Sequence, residues 1–214
     1  MRVFRVMPAL VVVGAALMGG PVAAGEIHLP EKQSTFMRVF GPAQPPYGAV
    51  QFCDESPDEC RRGTIEDNRV ATSPDRLAEL DEINRLVNRA IQPVTDLDHY
   101  GVNEYWTIPK DGKGDCEDYA LMKRHILIER GWPIGALLMT VVRDEHGEGH
   151  AVLTARTAQG DFILDNKVDE VKLWSATSYA YVMRQSYLDP RAWISLDPSD
   201  QIAPPAIAGM KPRH

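Results

Sequence analysis

The chain has 214 residues, of which 25% are charged, 44% hydrophobic and 7% aromatic, with a formal net charge of −7. That length suits one domain with appendages and buries a core without needing a metal or a dense disulfide scaffold. The composition excludes collagenous, coiled-coil and wholly disordered chains, and the acidic balance gives no electrostatic footprint for nucleic acid or an anionic membrane.

Arg2 and Arg5 precede an uncharged run from Ala9 to Gly20 that is rich in Ala, Val, Leu and Gly. Such a run falls short of the roughly 20 residues that cross a bilayer, but it suits the apolar centre of an export signal. Pro21-Val22-Ala23-Ala24 offers small residues for a cut after Ala24. Residues 1–24 are therefore read as a signal peptide, with no membrane span after its removal. Residues 25–197 are read as the folded domain and 198–214, with four prolines and no periodicity, as a mobile tail.

Export changes the reading of the cysteines. Cys53 and Cys60 bracket a short polar stretch with one proline, which turns back easily and favours a disulfide in an oxidising compartment. Such a bridge is expected to hold a surface loop. Cys116 is then left as an unpaired thiol whose neighbourhood must explain it.

Residues 25–48 lack regular pattern and read as an extended arm. Ser73-Pro74-Asp75 opens a helix, with Ser73 as N-cap and Pro74 in the first helical position. Leu77, Leu80, Ile83, Leu86, Val87, Ala90 and Ile91 follow at helical spacing up to Pro93. A loop is expected over 93–114. A second helix starts at or just after Asp115, is apolar over much of its circumference and stops at Gly131. Strand-like runs follow at 136–142, 150–155, 162–165, 179–187 and 192–196, with a hairpin turn over 156–161. Helices followed by an antiparallel sheet make an α+β fold.

The chemistry gathers at Gly112-Lys113-Gly114-Asp115-Cys116-Glu117-Asp118. A thiol at a helix N-terminus feels the dipole and free backbone N–H groups, which favour thiolate. The Cys116 N–H, with the Tyr105–Trp106 region, is a candidate oxyanion donor. Asp115, Glu117 and Asp118 oppose ionisation of the thiol unless a cation offsets them. A hairpin turning over 156–161 makes His150 and Asp165 cross-strand neighbours, opposite or offset by two, on one face. Cys116 as nucleophile, His150 as base and Asp165 as the carboxylate that orients it form a set for acyl transfer.

Gly114-Asp115-Cys116-Glu117-Asp118-Tyr119-Ala120, Gly149-His150-Ala151-Val152-Leu153 and Leu164-Asp165-Asn166 together resemble the bacterial transglutaminase-like cysteine proteinases. Tyr100-Gly101 and Glu104-Tyr105-Trp106 fit the same resemblance, which covers about residues 35–196. It implies a papain/transglutaminase-like fold, with the catalytic Cys at a helix N-terminus packed on an antiparallel sheet. A periplasmic branch of that family is a calcium-dependent protease. It cleaves a large surface adhesin, releases cells from a biofilm and is held by an inhibitory membrane receptor. By that resemblance Asp115 and Glu117 are calcium ligands and the protein substrate is a surface adhesin. The residues themselves leave two alternatives open: amide transfer by the same triad, and a binding module without turnover.

Overall fold

The computed structural model describes residues 34–200; residues 1–24, expected as a signal peptide, the start of the expected arm, 25–33, and the end of the expected tail, 201–214, lie outside the described residues. Seven strands form one sheet: β1 (Gly41–Ala43), β4 (Leu137–Arg143), β5 (Gly149–Arg156), β6 (Asp161–Leu164), β7 (Lys172–Leu173), β8 (Ala180–Gln185) and β9 (Trp193–Ser195). Their spatial order is β1-β9-β8-β4-β5-β6-β7, and each neighbouring pair is antiparallel. A separate two-stranded parallel ladder joins β2 (Gln92–Pro93) to β3 (Lys113–Gly114).

Two long helices cover one face of the sheet. Helix α2 (Pro74–Ala90) starts where Ser73 Oγ accepts the Arg76 N–H at 3.2 Å, and Pro74 takes a first-turn position where no N–H is needed. Helix α4 (Cys116–Glu129) ends at Gly131, whose φ of +85° suits a residue without Cβ. The Gly131 N–H then bonds the Ile128 carbonyl and the Trp132 N–H bonds that of Leu127, which satisfies the last turn. Leu80, Ile83 and Val87 of α2 and Leu121 and Leu127 of α4 meet Leu137, Met139, Leu153 and Leu164 of the sheet in the main core. Period-2 alternation sends Val142, Val152 and Ile163 to the opposite face, where Met37 and Leu196 pack on them.

Several segments depart from the sequence reading. The expected N-terminal arm supplies strand β1 and then opens helix α1 (Tyr47–Glu55), which places Cys53 within a helix. The Cys53–Cys60 disulfide forms and closes a mostly exposed polar stretch, while the two cysteines themselves are 2% exposed and belong to the main core. The loop over 93–114 contains a short helix, α3 (Asp96–Tyr100), capped by Thr95. Pro198–Asp200, at the start of the expected tail, forms a 3-10 turn, and Asp200 accepts from Ser195 Oγ at 2.8 Å.

The disulfide-bounded segment delivers Glu59 to α4. Its carboxylate meets Arg124 Nη1 at 3.2 Å and His125 Nδ1 at 2.6 Å, while Arg124 Nε donates to the Leu137 carbonyl. Arg124 is 1% exposed, so Glu59 balances a charge that has left water. Glu59→Ala is expected to cost about 3 kcal/mol of folding stability, because it strands that guanidinium. Replacing both Cys53 and Cys60 by Ser is expected to cost about 2–3 kcal/mol by freeing a short closed loop in the unfolded chain. Urea unfolding without reductant measures both.

Candidate active site

Cys116 is the first residue of α4, where its N–H has no intrahelical acceptor. Its sulfur accepts the Ala151 N–H at 3.4 Å and donates to Glu117 Oε2 at 3.0 Å. Burial first, and then the Glu117 carboxylate, push the thiol well above its ordinary range. The thiolate-favouring helix end is thus outweighed by burial and by the acids beside it. The sulfur hydrogen goes to Glu117 rather than to the imidazole.

His150 lies at the start of β5. The β5–β6 register pairs Leu153 with Leu164 and Arg156 with Asp161. Continued by the same rule, it places Asp165 two positions from the partner of His150, on one face, which is the offset alternative of the sequence reading. His150 Nε2 and Asp165 Oδ1 are 2.9 Å apart, and both residues are 4% exposed. Burial alone would raise Asp165, but bonds from His150, Tyr179 and the Lys167 N–H hold it below the ordinary carboxylate range. With Nε2 engaged, Nδ1 is the ring nitrogen left over. Cys116, Glu117, His150 and Ala151 border one cleft of about 240 Å³, with Glu104, Trp106 and Val141 as further walls. The Trp106 indole N–H is committed to Glu104 Oε1 at 2.7 Å, and the Tyr105 hydroxyl to Glu55 Oε2 at 3.2 Å. Neither side chain is therefore a free oxyanion donor.

Asp115 and Glu117 converge with a third acid, Asp96, and one oxygen from each lies within 4.8 Å of the others. Asp96 enters on the first turn of α3; its N–H bonds Asp115 Oδ2 at 3.3 Å, and its own carboxylate takes the Tyr105 N–H. Burial and then the Asp115 charge raise Glu117 to about 9, and burial above all raises Asp118 to about 8. Asp96 Oδ1 and Asp115 Oδ1 are buried without a hydrogen-bond partner. Orphaned hard oxygens in a crowded acidic group are what a divalent cation satisfies, so these residues fit one. Asp118 serves the backbone instead, where its Oδ1 accepts the Thr107 N–H at 2.9 Å and ties the loop to the helix. Gly114 permits that approach, since a Cβ there would lie 2.3 Å from Asp118 Oδ2.

A second acidic group, Asp144-Glu145-His146, sits in the turn between β4 and β5. Asp144 spends its oxygens on Lys167 Nζ at 2.8 Å and on two turn N–H groups, so it leaves little for an ion.

Residues 39–201 match the family model described as bacterial transglutaminase-like cysteine proteinase. The chain belongs to that family. Among solved structures, calcium-bound LapG from Legionella pneumophila is 24% identical over 53% of this chain and 66% of that one, with a TM-score of 0.46. The EGTA-treated form is 26% identical over 53% and 64%, with a TM-score of 0.45. A further LapG structure is 25% identical over 58% and 75%, with a TM-score of 0.47. The match spans just under two thirds of the first two of those chains. No curated protein matches. The family is one of cysteine proteinases, and among the described residues no helix is long and apolar enough to cross a membrane.

Sequence reasoning about this family member missed Asp96 and Tyr179. Asp96 stands 20 residues before Cys116 with no ligand spacing to announce it. The Tyr179 hydroxyl donates to Asp165 Oδ2 at 2.5 Å, and its ring meets that of His150 edge-on, centroids 5.6 Å apart. An acid held low stabilises the fold above its unfolded value near about 3.9, and that contribution fades as pH falls through the folded value. Tyr179→Phe removes one donor to Asp165. It is expected to cost about 1–3 kcal/mol at pH 7, and the loss shrinks as pH falls through the folded value of Asp165 and the carboxyl takes up its proton; urea titrations at pH 7 and down the acid limb check this.

Proposed function

We propose that the chain is an exported thiol endopeptidase whose triad is Cys116, His150 and Asp165. The observation that carries this reading is one cleft bordered by a thiol at the start of α4 and by an imidazole bonded to a buried carboxylate. In the reaction, the Cys116 proton passes to His150 and the sulfur attacks a peptide carbonyl carbon. The tetrahedral oxyanion forms beside the Cys116 N–H at the helix end. The amine leaves with the proton returned by His150, and the resulting thioester is then hydrolysed, with His150 as base toward water. Asp165, held in turn by Tyr179, fixes the ring so that Nδ1 remains for the proton transfers. Cys116→Ala is expected to abolish cleavage of the native protein substrate; persistence of the fragments would overturn the assignment. Incorporation of a labelled primary amine in place of fragment release would instead favour amide transfer.

The proposed cofactor is calcium, held by Asp96, Asp115 and Glu117. The support is the converging group with its two orphaned buried oxygens. When bound, the ion supplies positive charge beside the thiol and offsets the carboxylates that keep it protonated. Glu117 would then serve as a ligand rather than as acceptor of the thiol hydrogen, which would leave Cys116 free to give its proton to His150. Calorimetric titration with Ca²⁺ is expected to show binding that Asp96→Asn weakens about tenfold or more through loss of a charged ligand. Iodoacetamide is expected to alkylate Cys116 faster in Ca²⁺ than in EGTA, and an unchanged rate would separate the metal from the thiol.

The proposed location is the periplasm, supported by the export signal in the sequence and by the buried disulfide. A surface adhesin as substrate and an inhibitory membrane receptor as partner follow from the family resemblance.

A further inference from the structure

The β5–β6 ladder ends at the Leu153–Leu164 pair, so Asp165 stands beyond its last rung. His150 is placed by β4, where it lies opposite Val142, but the ladder does not itself fix Asp165 against it. The loop 165–169 is tied to α2: Asn88 donates to the Asp165 carbonyl at 2.9 Å, and Asn84 to those of Val168 and Asp169. Those bonds hold carbonyls and leave the direction of the carboxylate to other groups. One of these is the Lys167 N–H, which donates at 2.9 Å to Asp165 Oδ1, the same oxygen that meets His150 Nε2. The Lys167 side chain runs to another segment, and its Nζ donates to Asp144 Oδ2 at 2.8 Å. Asp144 belongs to the turn between β4 and β5, and its side chain is 3% exposed. Its other oxygen, Oδ1, accepts the N–H groups of His146 and Glu148, each at 3.0 Å. Glu148 lies two residues before His150. The contacts close a ring: His150 to Asp165, Asp165 to the Lys167 backbone, Lys167 to Asp144, and Asp144 through its turn back to His150.

We propose that Lys167 and Asp144 are positioning residues for the His150–Asp165 pair, their ion pair fixing the loop of Asp165 to the turn that leads into His150. With Asp165 Oδ1 aimed at Nε2, the imidazole keeps its proton on that nitrogen and presents a bare Nδ1. The Lys167 side chain is 46% exposed, and an ion pair with one partner so open adds little to folding stability. Its effect is on placement, where a shift of about 1 Å can cost roughly a hundredfold in rate. The proposed role rests on the peptidase reading, but the ring itself can be measured without any substrate.

The test is ¹⁵N NMR of the full chain with labelled histidine, at a pH where His150 is neutral. The His150 signals are assigned by their loss in His150→Gln. The protein is expected to show a single His150 tautomer, with the proton on Nε2. Lys167→Met is expected to shift both ring nitrogens toward a mixture of tautomers with the urea midpoint nearly unchanged, and Lys167→Arg, which keeps the bond to Asp144, to restore them. Asp144→Asn is expected to repeat the shift and to add nothing to Lys167→Met; the Lys167 variants carry the test if Asp144→Asn does not fold. A His150 tautomer unmoved by Lys167→Met, or left unrestored by Lys167→Arg, overturns the proposal. Hydrolysis of p-nitrophenyl acetate in Ca²⁺, counted as the part lost in Cys116→Ala, is expected to fall about tenfold in kcat in Lys167→Met with KM unchanged. A change in KM alone would make Lys167 a substrate contact and also overturn it. Hydrolysis independent of Cys116, beside an intact tautomer shift, would refute the peptidase reading instead.

Discussion

Carboxylates crowd the first turn of α4 at a density that water would ordinarily forbid, and the rest of the site is arranged around that charge. Asp96, Asp115 and Glu117 converge there, Glu117 bonds the thiol directly, and Asp118 follows on the same turn with no exposed surface. A helix N-terminus favours negative charge by at most about 2 kcal/mol, which cannot hold so many buried acids ionised. The raised values of Glu117 and Asp118 express that shortfall. Protons or a hard cation must make up the difference, and the two choices have opposite effects on the sulfur. Protons leave Glu117 and Cys116 sharing a hydrogen; a cation would draw the carboxylate away and would lower the cost of a thiolate.

The other half of the site is built on different physics. His150 and Asp165 come from the β5–β6 hairpin, whose register fixes their offset, and the pair is buried under Tyr179. That half is satisfied internally: Asp165 accepts from an imidazole, a hydroxyl and a backbone N–H. The acidic half keeps orphaned oxygens. One half is therefore complete in its hydrogen bonds, while the other carries unpaired acceptors. The two halves touch where the Ala151 N–H donates to the Cys116 sulfur.

Much of this was legible in the sequence because it depends on local rules. Ser73-Pro74 announces a helix start, Gly131 a helix stop, and the midpoint of the turn over 156–161 predicts that His150 meets Asp165. What was not legible depends on tertiary placement. Helix α1 hides in a stretch broken by Pro42, Pro45 and Pro46, and its cysteine then reads as part of a polar surface loop. Asp96 rides on a five-residue helix that no periodicity of that length can reveal. Tyr179 reads as the start of a strand and is used instead for its hydroxyl.

The buried charges of α4 set it apart from an ordinary core helix. Its first turn carries the acids, and its middle carries Lys123 and Arg124, neither of which reaches solvent appreciably. Arg124 is matched by Glu59 of the disulfide-bounded segment, whereas Lys123 Nζ has no hydrogen-bond partner and lies 5.9 Å from the centre of the Tyr119 ring. Ordinary core helices bury aliphatic side chains at these positions, because a buried ion pair seldom outperforms a hydrophobic contact in stability. Their presence on the helix that carries Cys116 is costly for folding. The helix positions the thiol by its packing, and Arg124 anchors its middle to Glu59 and to the Leu137 carbonyl at the start of β4.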